Sequence, residues 1–371
     1  MKKFIASLIV GIILLVPLKA LAAVKAGATC AKAGSTSTAA GKKYTCIKSG
    51  KKLVWDKGVL IPVRIEPKSL EAAVNDYGQA PFWAFNKSAE VINKSAAKQL
   101  NFKVLIGPNT KPINEVPQIA LGLVSKMFPN YDVNKEFVLI YFNYTDQKWA
   151  QDKFDFYIGK SGGYDTSDQV IKVCTSALSC NSAAQVTNHD NGTAVLLISA
   201  SESSKNDRHF FSGTMEAHEF FHAYQNTLFF GVNRASNQLP RWLLEGSASF
   251  VELASVYSND FNAYLTNKGN LLVQLHYQKA FKESDLIRFL DAPSLGTDWS
   301  SWDSYNPQRV YDIGMLATEI MVAAKGPECI LEQYKLVANG MSYKEAFQKV
   351  FGVSWDEGVK LLAKAIAKET S

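Results

Sequence analysis

The sequence has little excess of charge of either sign. Its 371 residues include 40 basic and 34 acidic side chains, a net charge of +6. Lys2, Lys3 and Lys19 lie in the first 22 residues, which contain no acid, so the remainder has 37 basic against 34 acidic residues, or +3. This balance argues against binding of nucleic acid or of an anionic membrane. The 47% hydrophobic content, with 23 Gly and 12 Pro, excludes a disordered polymer, a collagen-like repeat and a long coiled coil.

Several common functional motifs are also absent from the sequence. It has no G-x-x-x-x-G-K-[ST] loop and no nucleotide-type G-x-G-x-x-G loop, which disfavours those kinds of nucleotide site. No C-x-x-C pair occurs, so a cysteine zinc knuckle is excluded. No internal repeat is evident. With only five histidines in the chain, any histidine cluster is informative.

Residues 1–22 have the pattern of a secretory signal peptide. Two lysines precede an apolar run from Phe4 to Val16, Pro17 ends the run, and Ala20 and Ala22 supply small residues for cleavage. The run is shorter than the roughly 20 residues that a membrane-spanning helix needs, which disfavours an uncleaved anchor. No other stretch is long and apolar enough to span. We therefore expect a secreted protein, cleaved near Ala22, with no transmembrane segment after the signal is removed.

The five cysteines agree with export. Cys30 with Cys46, and Cys174 with Cys180, are two local pairs that can close small loops in an oxidising compartment. Cys329 is left over within ECILEQYKLV, a predicted helix, and we expect it to be a buried small hydrophobe.

The chain after the signal divides into three predicted regions. Residues 24–58, rich in Ala, Gly, Ser, Thr and Lys, predict a small Cys-paired module, and they resemble short β-modules that precede catalytic domains in some secreted bacterial proteins. Their lysines indicate either an ordinary solvated surface or contact with an anionic cell wall. Residues 67–205 predict an α/β lobe, and residues 206–371 predict a mainly helical lobe. The predicted helices are 69–100, 117–127 and 145–154, the predicted strands are 102–106, 137–142 and 193–200, and 159–191 is predicted to be rich in loops.

The most informative segment is TMEAHEFFHAYQ, residues 214–225, which contains the pattern H-E-x-x-H. Positions four apart lie on one face of a helix, so His218 and His222 can direct ring nitrogens at one metal ion. Glu219 lies about 100° around the helix from His218, close enough to hold a water beside that ion. The alternative interpretation is two core histidines on a buried helix.

A second predicted helix, PRWLLEGSASFVE, supplies a third candidate ligand. Glu245 follows His222 by 23 residues, and its neighbours Trp242, Leu243 and Leu244 fit an exposed helix poorly. Two His and one Glu form a catalytic zinc set that leaves a fourth position open.

These motifs resemble those of gluzincin, or peptidase MA-like, zinc metallopeptidases. The W-L-x-E-G-x-A pattern of residues 242–248 is similar to the third-ligand motif of that clan, and RVYDIG, residues 309–314, resembles its downstream Y-x-x-G segment. FGVSWDEGVKLLAKAIAK, near the end of the chain, resembles the closing helical segment of such domains. The resemblance covers about residues 210–365. It implies that Tyr311 donates to the oxyanion, with Tyr305 as a rival, and that Gly246 lets the two motif helices approach closely.

The resemblance implies a fold and an activity. The fold is α+β, with a mixed α/β N-terminal lobe, a thermolysin-like helical C-terminal lobe and a zinc site between them. The activity is that of a secreted zinc metallopeptidase in which His218, His222 and Glu245 hold Zn²⁺, Glu219 is the general base, and the strand at 193–200 is an edge strand that pairs with peptide or protein substrate. No G-A-M-E-N-type segment precedes Thr214, which favours an endopeptidase over an aminopeptidase.

Other polar residues are weaker candidates. Glu252, two turns after Glu245, is a candidate for a carboxylate that orients a ligand histidine. Ser249 stands where some relatives have an acid, which leaves open what orients the histidines. We expect Glu216 to be solvated, and we expect the three remaining histidines to be surface or packing residues: His189, His209 and His276.

Two alternatives remain open. The chain is either an active enzyme or a catalytically silent gluzincin-like fold that serves as a secreted cell-wall or protein-binding module. The intact Glu219 argues against the silent form. A zymogen, in which residues 24–100 cover the cleft, is a further alternative.

Overall fold

The computed structural model describes residues 24–60, 64–133, 136–159, 167–188, 190–232, 238–273, 281–292 and 308–371. The predicted signal peptide, His189, His276 and Tyr305 lie outside the described residues. The chain divides into two compact units, Met1–Ile65 and Glu66–Ser371. Among the described residues, no helix combines the length and apolar character that crossing a membrane requires.

The described part of the first unit is a small antiparallel sheet. Its central strand β2 pairs with β1, β3 and β4. Ala40 and Gly41 both have positive φ, 49° and 70°, which suits the tight two-residue turn between β1 and β2. A disulfide joins Cys30, which precedes β1, to Cys46 in β2, so the predicted pairing of these two cysteines is confirmed. The strands are Thr36–Ala39 (β1), Lys42–Ser49 (β2), Lys52–Trp55 (β3) and Val59–Leu60 (β4).

The second unit contains a mixed sheet with strand order β5-β6-β8-β7. Strands β5, β6 and β8 are parallel, and β7 is antiparallel to β8. The three predicted strands are confirmed, whereas β7 lies in the segment that was predicted to be loop-rich. The strands are Phe102–Ile106 (β5), Phe137–Phe142 (β6), Ala183–Thr187 (β7) and Ala194–Ser199 (β8).

The prediction that residues 193–200 form an edge strand is wrong. Strand β8 lies between β6 and β7, and all six of its residues are buried. A strand that is covered on both faces and paired on both edges needs a continuous apolar run, which is what AVLLIS supplies. The same argument explains FVLIYF in β6. In the described part of the chain, the edges of this sheet are β5 and β7.

Helices cover both faces of the sheet. Helices α4 and α5 pack on the face that contains Val138, Ile140 and Leu197. The disulfide Cys174–Cys180 lies buried in the same cluster, as the cysteine spacing predicted. The opposite face, with Leu139 and Leu196, joins the main core of the unit.

Two helices precede β5, α1 (Leu70–Asn75) and α2 (Ala80–Lys94), and α3 (Pro117–Met127) lies between β5 and β6. Those that follow β6 and precede β7 are α4 (Gln147–Ile158) and α5 (Gln169–Val173). The remaining helices are α6 (Arg208–Phe211), α7 (Thr214–Thr227), α8 (Arg241–Val256), α9 (Phe261–Leu271), α10 (Glu283–Leu290), α11 (Arg309–Lys325), α12 (Glu328–Ala338), α13 (Tyr343–Phe351) and α14 (Trp355–Glu369).

Helices α7, α8 and α11 form the centre of the unit. Helix α7 contacts β7, β8 and α3 as well as α8, so it links the sheet to the helices. Helix α2 packs against α11, which brings the regions predicted as separate lobes into one compact unit. The architecture is therefore α+β, as predicted. Cys329, on α12, is a free buried thiol, also as predicted.

The close contact in this centre joins α8 to α11. A Cβ atom placed on Gly246 would overlap the backbone of Gly314, and one placed on Gly314 would overlap the carbonyl oxygen of Trp242. Gly246 thus permits a close approach, as predicted, but its partner is α11 rather than α7.

Candidate metal centre

Helix α7 is held rigidly between the sheet and its neighbouring helices. Phe220 packs on Phe137 of β6, with ring centroids 4.7 Å apart, and Phe221 stacks on Phe128 at 5.1 Å. These contacts fix the rotation of α7 about its axis. They leave the rings of His218 and His222 side by side, with centroids 4.9 Å apart.

Helix α8 brings a carboxylate to these two rings. Oε2 of Glu245 lies 3.3 Å from Nε2 of His222 and 3.6 Å from Nε2 of His218. The three candidate ligand atoms all lie within 4.8 Å of one another, an arrangement that could hold a metal ion. The structure therefore brings together the three residues that the sequence patterns selected as ligands.

Glu252 contacts His218 from a position two turns after Glu245 on the same face of α8. Its Oε2 lies 2.7 Å from Nδ1 of His218, and its side chain is only 4% exposed. An ionised carboxylate can only accept, so Nδ1 carries a proton, and in the neutral ring the lone pair is on Nε2. Burial would raise the pKa of Glu252, but the two histidines that it contacts, His209 and His218, outweigh burial and lower this pKa. The carboxyl of Glu252 therefore stays ionised.

Gln225 holds the second histidine. Its Nε2 donates to the carbonyl oxygen of Leu244 at 3.0 Å and to Oγ of Ser247 at 2.9 Å. These two contacts turn Oε1 of Gln225 toward His222, where it accepts from Nδ1 at 2.6 Å. In the neutral ring of His222 the lone pair is therefore also on Nε2, the nitrogen that faces Glu245.

The sequence patterns did not predict the role of Gln225. The available signal was a polar residue one turn after His222 on a helix with apolar flanks. The structure shows that Gln225 is fully buried, and a buried amide requires hydrogen-bond partners. Ser249, the position that left the orienting residues open, is 1% exposed. Glu252 and Gln225 take up the orienting contacts in its place.

The charges of the cluster are mutually dependent. Burial alone would raise the pKa of Glu245, but the neighbouring His222 and His218 outweigh it and lower that pKa. Burial lowers the pKa of His218, and the hydrogen bonds with Glu245 and Glu252 outweigh this effect and raise it. The two carboxylates, Glu245 and Glu252, thus stabilise positive charge at this point, as a proton on the imidazoles or as a metal ion in its place.

Glu219 lies near His218, His222 and Glu245, but it takes no part in the hydrogen bonds that orient the two histidines. Its side chain belongs to the buried face of α7, and the residue is 7% exposed. Burial raises the pKa of its carboxyl, while His222 and His218 act in the opposite direction. A carboxyl with a raised pKa is a better proton acceptor than an ordinary glutamate once it is ionised.

Tyr311 approaches the histidines from α11. Its ring centroid lies 6.0 Å from that of His218. Burial, followed by the charges of Glu245 and Glu219, raises the pKa of the Tyr311 hydroxyl well above its usual value. The hydroxyl therefore stays protonated and is available as a donor. Its rival Tyr305 lies outside the described residues.

His209 is partly exposed, as expected of a surface residue, but it also has a partner in the site. Its Nε2 lies 3.2 Å from Oε2 of Glu252, the same oxygen that contacts His218. The side chain of His209 is 40% exposed, so this contact links the buried carboxylate to the solvent-accessible surface.

The expectation that Glu216 is solvated is wrong. The residue is 1% exposed, and its Oε1 accepts a hydrogen bond from the hydroxyl of Tyr141 at 2.8 Å. Burial raises the pKa of this carboxyl, and the hydrogen bond from Tyr141 partly offsets that rise. Glu216 thus connects α7 to β6 from the side of the helix that faces the sheet.

The β7 edge lies next to the candidate centre. Asn226, one turn after His222, donates from Nδ2 to Oε1 of Gln185 in β7 at 2.6 Å.

The register of β7 against β8 leaves one edge of β7 unpaired in the part of the chain that the structure describes. Two backbone hydrogen bonds set this register, from the N–H of Asn188 to the carbonyl oxygen of Thr193 and from the N–H of Ser199 to the carbonyl oxygen of Ser182. In this register the peptide groups of residues 183, 185 and 187 point away from β8. Within the described residues, no strand pairs with that outer edge.

Comparisons of the whole chain with protein-family models, with curated proteins and with solved structures gave no match.

Proposed function

We propose that the chain is a secreted zinc metallopeptidase that hydrolyses peptide bonds in peptide or protein substrates. The observation that carries this proposal is the orientation of both histidines. Acceptors hold Nδ1 of His218 and of His222, so both Nε2 lone pairs converge with the Glu245 carboxylate. Buried histidines need hydrogen-bond partners in any case. What favours a metal over two core histidines is that both Nε2 atoms and the carboxylate of Glu245 converge within 4.8 Å of one another.

The donor set fits zinc. Two imidazole nitrogens and one carboxylate oxygen are a common three-ligand set of catalytic zinc sites, which keep a fourth position open. Zinc held by these residues supplies Lewis acidity, which polarises a carbonyl group and acidifies a water molecule. The two disulfides and the absence of a membrane-crossing helix among the described residues agree with a secreted protein.

The roles of the other residues follow from their positions. Glu219 accepts the proton of the attacking water and passes it to the nitrogen of the leaving amine. Tyr311, with its hydroxyl protonated, donates a hydrogen bond to the carbonyl oxygen as that oxygen gains charge. Glu252 and Gln225 hold the imidazole rings still during this proton transfer.

The outer edge of β7 is the surface for the main chain of the substrate. Its free peptide groups can pair with an extended peptide, and the bond between Asn226 and Gln185 places this edge one helical turn from His222. Pairing along a strand edge needs no free terminus of the substrate. This favours an endopeptidase over an aminopeptidase.

Replacing the proposed base tests the peptidase assignment. Glu219→Gln keeps the shape of the side chain and removes its basicity, so hydrolysis of a peptide library should fall by about 10²- to 10⁴-fold while bound metal is retained. Glu71→Gln, an exposed substitution on α1, is the matched control and should keep full activity. Full turnover by the Glu219→Gln protein would overturn the assignment of the base. Absence of hydrolysis by the metal-loaded parent protein would favour the catalytically silent binding module.

A further inference from the structure

Charge is distributed unevenly along this chain. Residues 24–60 contain eight lysines and one acid, Asp56, a net charge of +7. The whole chain carries +6 and residues 1–23 carry +3, so residues 61–371 carry −4. The small charge of the whole chain therefore conceals a strongly basic first unit. The eight lysines are Lys25, Lys32, Lys42, Lys43, Lys48, Lys51, Lys52 and Lys57.

The single acid of this unit does not neutralise the lysines. Oδ1 of Asp56 accepts from the backbone N–H of Thr45 at 3.1 Å and of Gly58 at 2.9 Å, so its charge is used to fix a turn. In the described part of the chain, none of the eight lysines forms an ion pair. Seven of them are exposed and Lys42 is half-buried.

The sheet of the first unit places lysines at both ends of strand β2. Lys42 and Lys43 begin β2, whereas Lys51 and Lys52 lie at the hairpin that joins β2 to β3. Lys52 pairs with Ser49, six residues beyond Lys43 along β2 (49 − 43 = 6). At about 3.3 Å per residue, the two groups lie roughly 20 Å apart. A single phosphate or carboxylate cannot contact both groups, but an extended polymer with repeated charges can.

The unit offers little to recognise nucleic-acid bases. Residues 24–60 contain two aromatic residues, Tyr44, which is 7% exposed, and Trp55, which is half-buried. Binding of single-stranded nucleic acid relies on exposed aromatic rings for stacking of the bases. The surface between the two lysine groups instead contains Ile47, an aliphatic residue that is 44% exposed. These features favour a polyanion without bases.

We propose that the N-terminal unit binds a linear, base-free polyanion with repeated phosphate or carboxylate groups, of the kind found in extracellular envelopes. Lysine suits this role because its compact ammonium group pairs with an anion without requiring a fixed geometry. Such binding would hold the second unit near a polymer matrix. The proposal depends on the charge and spacing of the lysines and is independent of the metal centre.

The test uses the mature chain with EDTA present, so that no metal contributes. Long-chain inorganic polyphosphate and poly-L-glutamate are the two probes, and binding is measured over a series of salt concentrations. The test variant is K43Q/K48Q/K51Q/K52Q. The matched control, K335Q/K349Q/K360Q/K364Q, removes four exposed lysines from α12, α13 and α14 of the second unit, so the net charge changes equally.

We expect the parent chain to bind at least one of the two polymers, which also identifies the charged group that is preferred. The test variant should bind it at least tenfold more weakly, whereas the control should stay within twofold of the parent. The slope of log K against log salt should fall by about 3 in the test variant, at roughly 0.7 per lost contact. Equal weakening in both variants, or none in the test variant, would overturn the proposal. So would stronger binding to single-stranded DNA, or binding to anionic lipid vesicles alone.

Discussion

Oε2 of Glu252 lies 2.7 Å from Nδ1 of His218, while Nε2 of the same ring faces Glu245 at 3.6 Å. One imidazole is thus held between two carboxylates that lie two turns apart on α8. The inner carboxylate shares the candidate ion with the ring, and the outer one fixes the tautomer and orientation of the ring.

Removing the outer carboxylate should weaken metal binding. Glu252→Ala leaves His218 free to rotate and to change tautomer, so we expect the dissociation constant for zinc to rise about 10- to 100-fold. Competition with a chelator of known affinity measures this change. Glu71→Gln should bind zinc like the parent protein. Unchanged affinity in the Glu252→Ala protein would show that this carboxylate does not position His218.

His209 should act through Glu252 and not independently, because its Nε2 contacts the same oxygen at 3.2 Å. We expect His209→Ala to raise the zinc dissociation constant by less than Glu252→Ala does, and to have no further effect in the Glu252→Ala background. His209→Gln, which keeps a donor at similar reach, should restore part of the loss. Additive effects of the two alanine substitutions would contradict this arrangement.

Gly246 should tolerate no side chain. A Cβ there would overlap the backbone of Gly314, so Gly246→Ala has to push α8 away from α11. We expect the free energy of unfolding to fall by about 1–3 kcal/mol, as for other overpacked cores, together with weaker metal binding because Glu245 moves. Denaturant unfolding and chelator competition measure the two effects.

Gly269 provides the matched control for this substitution. It lies within α9, where a Cβ would meet no atom within 4 Å. Gly269→Ala should therefore raise the stability by up to about 1 kcal/mol, since alanine favours helix more than glycine does. If Gly246→Ala behaved like Gly269→Ala, the close contact between α8 and α11 would not exist in solution.

The sequence patterns predicted the parts of the site that depend on local spacing. The positions of His218 and His222 follow from one helical face, and Glu245 stood out because of its apolar neighbours. The contacts that orient the rings were harder to predict. His209 meets Glu252 across 43 residues of sequence, and nothing in the local pattern of either residue indicates the partner.

Local sequence patterns also predicted only some of the strands of the sheet in the second unit. Buried strands β6 and β8 were predicted because both are continuous apolar runs. Strand β7 was missed because AAQVT is short and half-buried, with a composition that is not typical of a strand. The resemblance to gluzincins implied that β8 lies at the edge of the sheet, although its continuous apolar run is typical of a central strand.

Tyr311 should contribute to catalysis without contributing to metal binding. If its hydroxyl donates to the carbonyl oxygen in the transition state, Tyr311→Phe should lower kcat by about 10²- to 10³-fold at unchanged zinc content. Tyr257→Phe, at the end of α8, is a control that should keep normal turnover. A Tyr311→Phe protein with full kcat would direct attention to Tyr305.

Stability should depend on pH through a buried cluster that joins α9, α11 and α14. Nζ of Lys268 contacts Glu319 at 2.5 and 2.8 Å and Glu369 at 2.6 Å, and the hydroxyl of Tyr264 donates to Glu319 at 3.1 Å. Burial, joined by the charge of Glu369 and opposed by Lys268, raises the pKa of Glu319 from 4.5 to about 7. Two carboxylates share one buried cation, so the folded state favours a proton on the pair.

A raised carboxyl pKa stabilises the folded state below pH 4.5, and this contribution is lost as pH rises to 7. Glu319→Gln mimics the protonated form at every pH. The stability of the parent protein relative to Glu319→Gln should therefore fall by up to about 3 kcal/mol between pH 4.5 and 8. Urea unfolding of both proteins across this range measures the difference. A difference that does not vary with pH would contradict the raised pKa.

The most direct test of the whole account is the metal content of the purified mature protein, measured by elemental analysis beside His222→Ala. We predict about one zinc per chain in the parent protein, as in a catalytic site with three protein ligands, and its loss in the variant. Zinc that is retained in His222→Ala would contradict the ligand set, and no zinc in either protein after zinc is supplied would contradict the metallopeptidase proposal.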